Sequence, residues 1–96
     1  MDKEKVFWKK QFIGYLLNGQ IDNFFYFGKW IPGENTALLA EFYRKIEEEE
    51  NEYIFVGDEK KGMIGTIAEV PDDIIDFKIL RWYHDGLDNI DYKDLP

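Results

Sequence analysis

Three β-branched and aromatic runs crowd the second half of the chain with only short polar breaks between them: 52–57 (EYIFVG), 63–70 (MIGTIAEV) and 74–83 (IIDFKILRWY). No other feature narrows the fold as much. The first two, parted by Asp58-Glu59-Lys60-Lys61-Gly62, read as a hairpin whose loop is longer than the tightest type. The third has mixed signals. Pro71-Asp72-Asp73 would start a helix well, since proline suits the first turn and acids suit the helix dipole. On a helical wheel, however, the apolar residues that follow point in all directions. As a strand, Ile75, Phe77 and Ile79 alternate with Asp76 and Lys78, and the slip at Ile79-Leu80 is what a bulge produces. The three runs together predict an antiparallel meander.

The first half reads differently. Residues 3–18 (KEKVFWKKQFIGYLLN) predict an amphipathic helix with Trp8, Phe12, Tyr15 and Leu16 as its apolar stripe and Lys9 and Lys10 on the wet side. Asp2 can cap its start and Gly19 can end it. Residues 21–31 are an aromatic run without helical period, apolar on both faces, so 23–31 can add a further strand or a packed loop. Pro32-Gly33-Glu34-Asn35 is a turn that delivers a helix cap, and from Thr36 to about Glu49 the face Leu38, Leu39, Phe42, Tyr43 and Ile46 predicts a second helix. The expected architecture is α+β, a single domain over 1–96 with two amphipathic helices packed on one face of a small antiparallel sheet.

What the chain lacks excludes much chemistry. It has no Cys and no Ser, only Thr36 and Thr66 as aliphatic hydroxyls, and His84 as its one histidine. That removes disulfides, thiolate–zinc and iron–sulfur sites, thiol nucleophiles and the Ser–His–Asp arrangement. No cofactor is expected. The charged start Met1-Asp2-Lys3-Glu4-Lys5 leads into no signal-peptide-like apolar run, and no segment approaches the length needed to span a bilayer. The expectation is a cytoplasmic protein without membrane contact.

Local motifs yield little. Asp85, Asp88, Asn89, Asp91 and Asp94 are oxygen ligands, but their spacing does not supply an EF-hand, so the expected reading is a solvated acidic tail. His84-Asp85 is no dyad, because neighbours on a strand face opposite ways. Gly62-Met63-Ile64-Gly65-Thr66 matches neither dinucleotide nor P-loop patterns, and Gly65 marks a bulge or close packing. With no visible site, an enzyme is not expected.

Charge and aromatics point towards binding. Twenty acids against twelve bases give a net charge of −8, which rules against a nucleic-acid partner held by its phosphates. Acids gather at Glu47–Glu50 and Glu52, and again at Asp72, Asp73, Asp85, Asp88, Asp91 and Asp94, whereas the first eleven residues carry four Lys against two acids. Three Trp, six Tyr and eight Phe exceed what so small a core readily hides. The expected partner-binding residues are Glu48, Glu49, Glu52, Asp72, Asp73, Trp82, Asp85, Asp88, Asp91, Tyr92 and Asp94. In composition the chain resembles the small acidic immunity proteins of bacterial toxin systems. That resemblance implies an inhibitor that occludes the active site of a basic nuclease toxin. A phage-encoded nuclease inhibitor fits the same composition. The alternatives of another class are a subunit of a homo- or hetero-oligomer (a homodimer among them) with a structural or regulatory role, and a small-molecule sensor.

Overall fold

The computed structural model describes residues 3–49, 51–91 and 93. It contains six strands, β1 (Lys3–Trp8), β2 (Gln11–Asp22), β3 (Phe25–Pro32), β4 (Glu52–Gly57), β5 (Lys61–Ile67) and β6 (Ile74–Asp85), and one α-helix, α1 (Thr36–Glu49). The strands are antiparallel and close into a barrel in the order β1-β2-β3-β6-β5-β4. Closure comes from two long-range seams, β1 against β4 (Val6 opposite Val56) and β3 against β6 (Tyr26 opposite Phe77). This overturns the expected α+β arrangement of two helices on an open sheet.

The error lies in residues 3–18. They fold as the β1–β2 hairpin, turned by Lys9 and Lys10 with φ of 50° and 64°. Two consecutive left-handed residues make the turn that suits the twist of paired strands, and lysine is an unusual occupant where Asn-Gly is the expected signal. The helical stripe was a coincidence of spacing. Trp8 and Leu16 point into the barrel, while Phe12 and Tyr15 lie on its outside. Two asparagines with positive φ do comparable work further on: Asn18 (54°) lies where the β2–β3 register shifts, and Asn23 (58°) turns the hairpin to β3.

The meander read from the sequence is present: β4, β5 and β6 pair in succession, and residues 74–83 are strand. The β5–β6 register shifts at Ile64 and Gly65, in the region where the alternation slips. Inward positions fill the barrel in the manner of a small β-core, with Val6, Trp8, Leu16, Tyr26, Trp30, Ile54, Val56, Ile67, Ile75, Phe77 and Ile79 all buried. Small residues make room for the large ones. A Cβ on Gly65 would run into the Phe77 ring, and one on Gly14 would meet the Trp30 indole at 2.7 Å.

Helix α1 follows from the topology. Strands β3 and β4 stand on opposite sides of the ring, so their connection must cross one end of the barrel. Asn35 caps it, its Oδ1 accepting from the Leu38 N–H at 3.1 Å. Leu39, Phe42 and Ile46, one face of the helix, then plug the opening. Phe42 packs on Trp8 with ring centroids 5.4 Å apart, and the Trp30 indole N–H donates to the Tyr43 hydroxyl at 3.0 Å. No helix among the described residues is long and apolar enough to cross a membrane.

Candidate functional site

The outside of the barrel has two apolar walls, and only one is covered. On β1, β4 and β5 the outward residues Phe7, Phe55 and Ile64 are 4 %, 0 % and 1 % exposed. Their cover is the segment after β6. Gly86, with φ 83°, turns the chain back, and the Gly86 and Leu87 N–H groups donate to the carbonyls of Lys60 and Glu59 at 2.7 and 2.9 Å. Leu87 and Ile90 then close a second small core over the wall, and the Lys10 ammonium donates to the Asp88 carbonyl at 3.3 Å.

On β2, β3 and β6 the outward apolar residues are interleaved with charged ones, and among the described residues nothing lies over them. Here Phe25, Phe27 and Lys29 on β3 stand opposite Lys78, Asp76 and Ile74 on β6. Phe25 is 47 % exposed and Ile74 55 %; Phe24, at the hairpin tip, is 64 % exposed. A groove lined by Asp22, Phe25, Phe27, Ile74 and Asp76 runs along this wall. It continues past Phe25 and Ile74 into a second hollow bordered by Thr66, Lys78 and the β5–β6 connection from Ala68 to Pro71.

The rim is acidic. Asp22, Glu69 and Asp76 border the groove, and Asp72 and Asp73 lie in the connection just before Ile74; the bases on the wall are Lys29 and Lys78. None of these carboxylates takes part in the ion pairs of the described residues, which join Lys5 to Glu59, Arg44 to Glu41 and Glu48, and Lys45 to Glu49. Burial raises the Asp76 carboxyl above its ordinary value, and the charges of Glu69 and Asp22 push it the same way. The wall therefore holds more acids than bases, and no ion pair among the described residues neutralises these carboxylates.

The structure disperses the residues expected from the sequence. Asp72 and Asp73 belong to the uncovered wall. Glu48 and Glu49 sit at the end of α1, where Arg44 and Lys45 pair with them, and Glu52 opens β4. Glu52 accepts from the Trp8 indole N–H at 2.9 Å, and burial raises its carboxyl above the ordinary glutamate value, with Glu49 adding to the effect. Trp82 and Asp85 lie at the other end of β6, beyond its pairing with β3. Asp88 and Asp91 are in the covering segment, where the Asp91 carboxylate accepts from the Lys93 N–H at 3.0 Å. Tyr92 and Asp94 lie outside the described residues. Asp73 precedes β6 and Asp85 ends it, so the two lie at opposite ends of that strand.

Outside the expected set, the uncovered wall brings together Asp22, Phe25, Ile74 and Asp76 by registration on neighbouring strands, and Glu69 from the β5–β6 connection. His84 lies at the edge of the covered wall, away from the groove: its Nδ1 lies 3.3 Å from Arg81 Nη1, its ring meets Phe55 edge-on, and its Nε2 is buried without a hydrogen-bond partner among the described residues. Among the described residues no cluster of acids and histidine is arranged to hold a metal ion. Comparison with protein-family models, with curated proteins and with solved structures finds no match to this chain.

Proposed function

We propose that this protein is a binding protein for a basic partner, which it neutralises in the manner of an immunity protein by covering a cationic active site. The observation that carries the reading is the uncovered wall: half-exposed Phe25 and Ile74 with Phe27 between them, bordered by Asp22, Glu69, Asp72, Asp73 and Asp76. Exposed apolar patches of this kind mark interaction surfaces, and the apolar residues of the barrel's other wall lie buried under a cover. The rim gives the partner its sign. Carboxylates without ion-pair partners attract a cationic surface and speed its approach, while aromatic and aliphatic groups at the centre hold the complex once formed.

A nuclease fits the required chemistry because its substrate cleft must be cationic to hold phosphates. An acidic cover over such a cleft competes with nucleic acid by charge and by volume. The experiment is inhibition. A basic nuclease retained by the protein at low salt loses its activity at equimolar inhibitor, and regains it when Phe25→Ala/Ile74→Ala replaces the native chain. Retained partners that keep full catalytic activity in the complex would sink the inhibitor reading and leave a binding module.

A further inference from the structure

Resting on that reading, we infer that the uncovered wall is anchored by an arginine side chain of the partner, its guanidinium seated between Asp22 and Asp76 and its plane against Phe25 or Phe27. The register places these groups. Asp22 on β2 stands opposite Phe25, and Asp76 on β6 stands opposite Phe27, so the two carboxylates flank β3 on its outer face with two rings between them. All four line one groove with Ile74.

The groove answers each part of arginine. The guanidinium is a planar fork that can donate to two separated carboxylates at once, and it stacks on aromatic faces, where a compact ammonium does neither as well. Its three methylenes can lie along Ile74, as the stems of long cationic side chains do on apolar surface. The charged groups facing Asp76 are Asp22, Glu69 and the two wall lysines. Lys78 is its next neighbour but one on β6, and Lys29 lies on β3 two positions beyond Phe27, which pairs with Asp76, yet neither forms an ion pair with it among the described residues. The negative charge at the centre of the groove is therefore left for a cation from outside. An acidic or neutral segment would place no compensating charge there and would leave the carboxylates desolvated against apolar groups.

The test uses the intact protein and defined probes: the peptide acetyl-Ala-Leu-Arg-Leu-Ala-amide and its versions with Lys or Glu at the centre, titrated at low salt by amide chemical shifts. The arginine peptide is expected to bind in the millimolar range, the strength one anchor gives, with shifts at 20–31 and 66–78. The lysine peptide should bind more weakly, and the glutamate peptide should leave the spectrum unchanged. Asp22→Asn with Asp76→Asn should weaken the arginine peptide at least about fivefold, whereas Asp85→Asn with Asp88→Asn should not. All four sites are on the surface, so a retained circular dichroism spectrum is expected throughout. Equal binding of the three peptides, or arginine binding that is indifferent to Asp22→Asn/Asp76→Asn, overturns the anchor. If Phe25→Ala/Ile74→Ala still abolishes capture of the partner in that case, the docking wall stands without it. Peptide shifts confined to Asp85–Asp91, with partner capture unaffected by Phe25→Ala/Ile74→Ala, overturn both.

Discussion

Phe55 and Phe25 are the same residue on opposite walls of one barrel, and both point outwards. The first is fully buried under Leu87 and Ile90, and the second is 47 % exposed. The barrel's interior explains neither, since its own inward residues complete that core. What differs is that the chain after β6 turns back over one wall and leaves the other bare. A closed barrel has no need of apolar outward residues for its own core, so an apolar outer wall is a candidate contact surface. For the β1–β4–β5 wall the cover is the chain itself; for the β2–β3–β6 wall the proposed cover is the basic partner.

The largest expected effect breaks the comparison at its root. Phe55→Ala should cost about 3–5 kcal/mol of stability, as buried aromatic truncations do, while Phe25→Ala should stay within about 0.5–1 kcal/mol. Thermal unfolding separates these readily, because about 1 kcal/mol moves the midpoint of a domain this size by about 4–8 °C. Equal losses would mean that the two walls are equivalent and that Phe25 is structural.

Next in size is the cover. Leu87→Ala and Ile90→Ala should each cost about 2 kcal/mol, and hydrogen exchange at the amides of β4 and β5 should quicken. Unchanged exchange there would mean that the segment rests on the wall without stabilising it. On the other side, Ile74→Ala and Phe25→Ala should each weaken partner binding by about 2 kcal/mol, chiefly through faster dissociation, with little change in unfolding.

The smallest effect is electrostatic and has a definite sign. The Asp76 carboxyl titrates above its ordinary value of 3.8 in the folded chain, because burial and then Glu69 and Asp22 disfavour its charge. Above that folded pKa the charged carboxylate detracts from stability; as pH falls through it towards 3.8 the native state takes up the proton first and gains stability. Asp76→Asn should therefore melt slightly higher than the native chain at pH 7, and the gap should close as pH approaches 4. A variant that melts lower at pH 7 would contradict the account of that carboxylate. Partner binding should weaken over the same fall in pH, since protonation removes charge from the rim.

The comparison also shows what the sequence could and could not disclose. The helix Thr36–Glu49 and the strands of the second half were legible because their patterns are local: a cap at Asn35, one helical face, and alternation broken at one bulge. The N-terminal hairpin was not, since Trp8, Phe12, Tyr15 and Leu16 fit a helical stripe and the turn uses Lys9-Lys10 instead of a recognisable turn pair. Once the hairpin is missed, closure is missed as well, because β1 forms the seam with β4. The uncovered wall was illegible for a related reason. Counting acids favours dense runs such as 47–50, whereas the wall gathers Asp22 from the end of β2 and Glu69 and Asp76 from the β5–β6 connection and the start of β6. Only Asp72 and Asp73 were in both sets, because they happen to adjoin Ile74.

The most direct test of the central claim places three immobilised proteins side by side in lysate of the native host at low salt: the native chain, Phe25→Ala/Ile74→Ala, and Phe12→Ala/Trp82→Ala as an exposed-aromatic control. The account predicts a basic protein held by the first and third, eluting late in a salt gradient, and absent from the second. Retention by the second that equals the native chain, or loss of the partner only from the third, would contradict it and return the bare wall to ordinary surface.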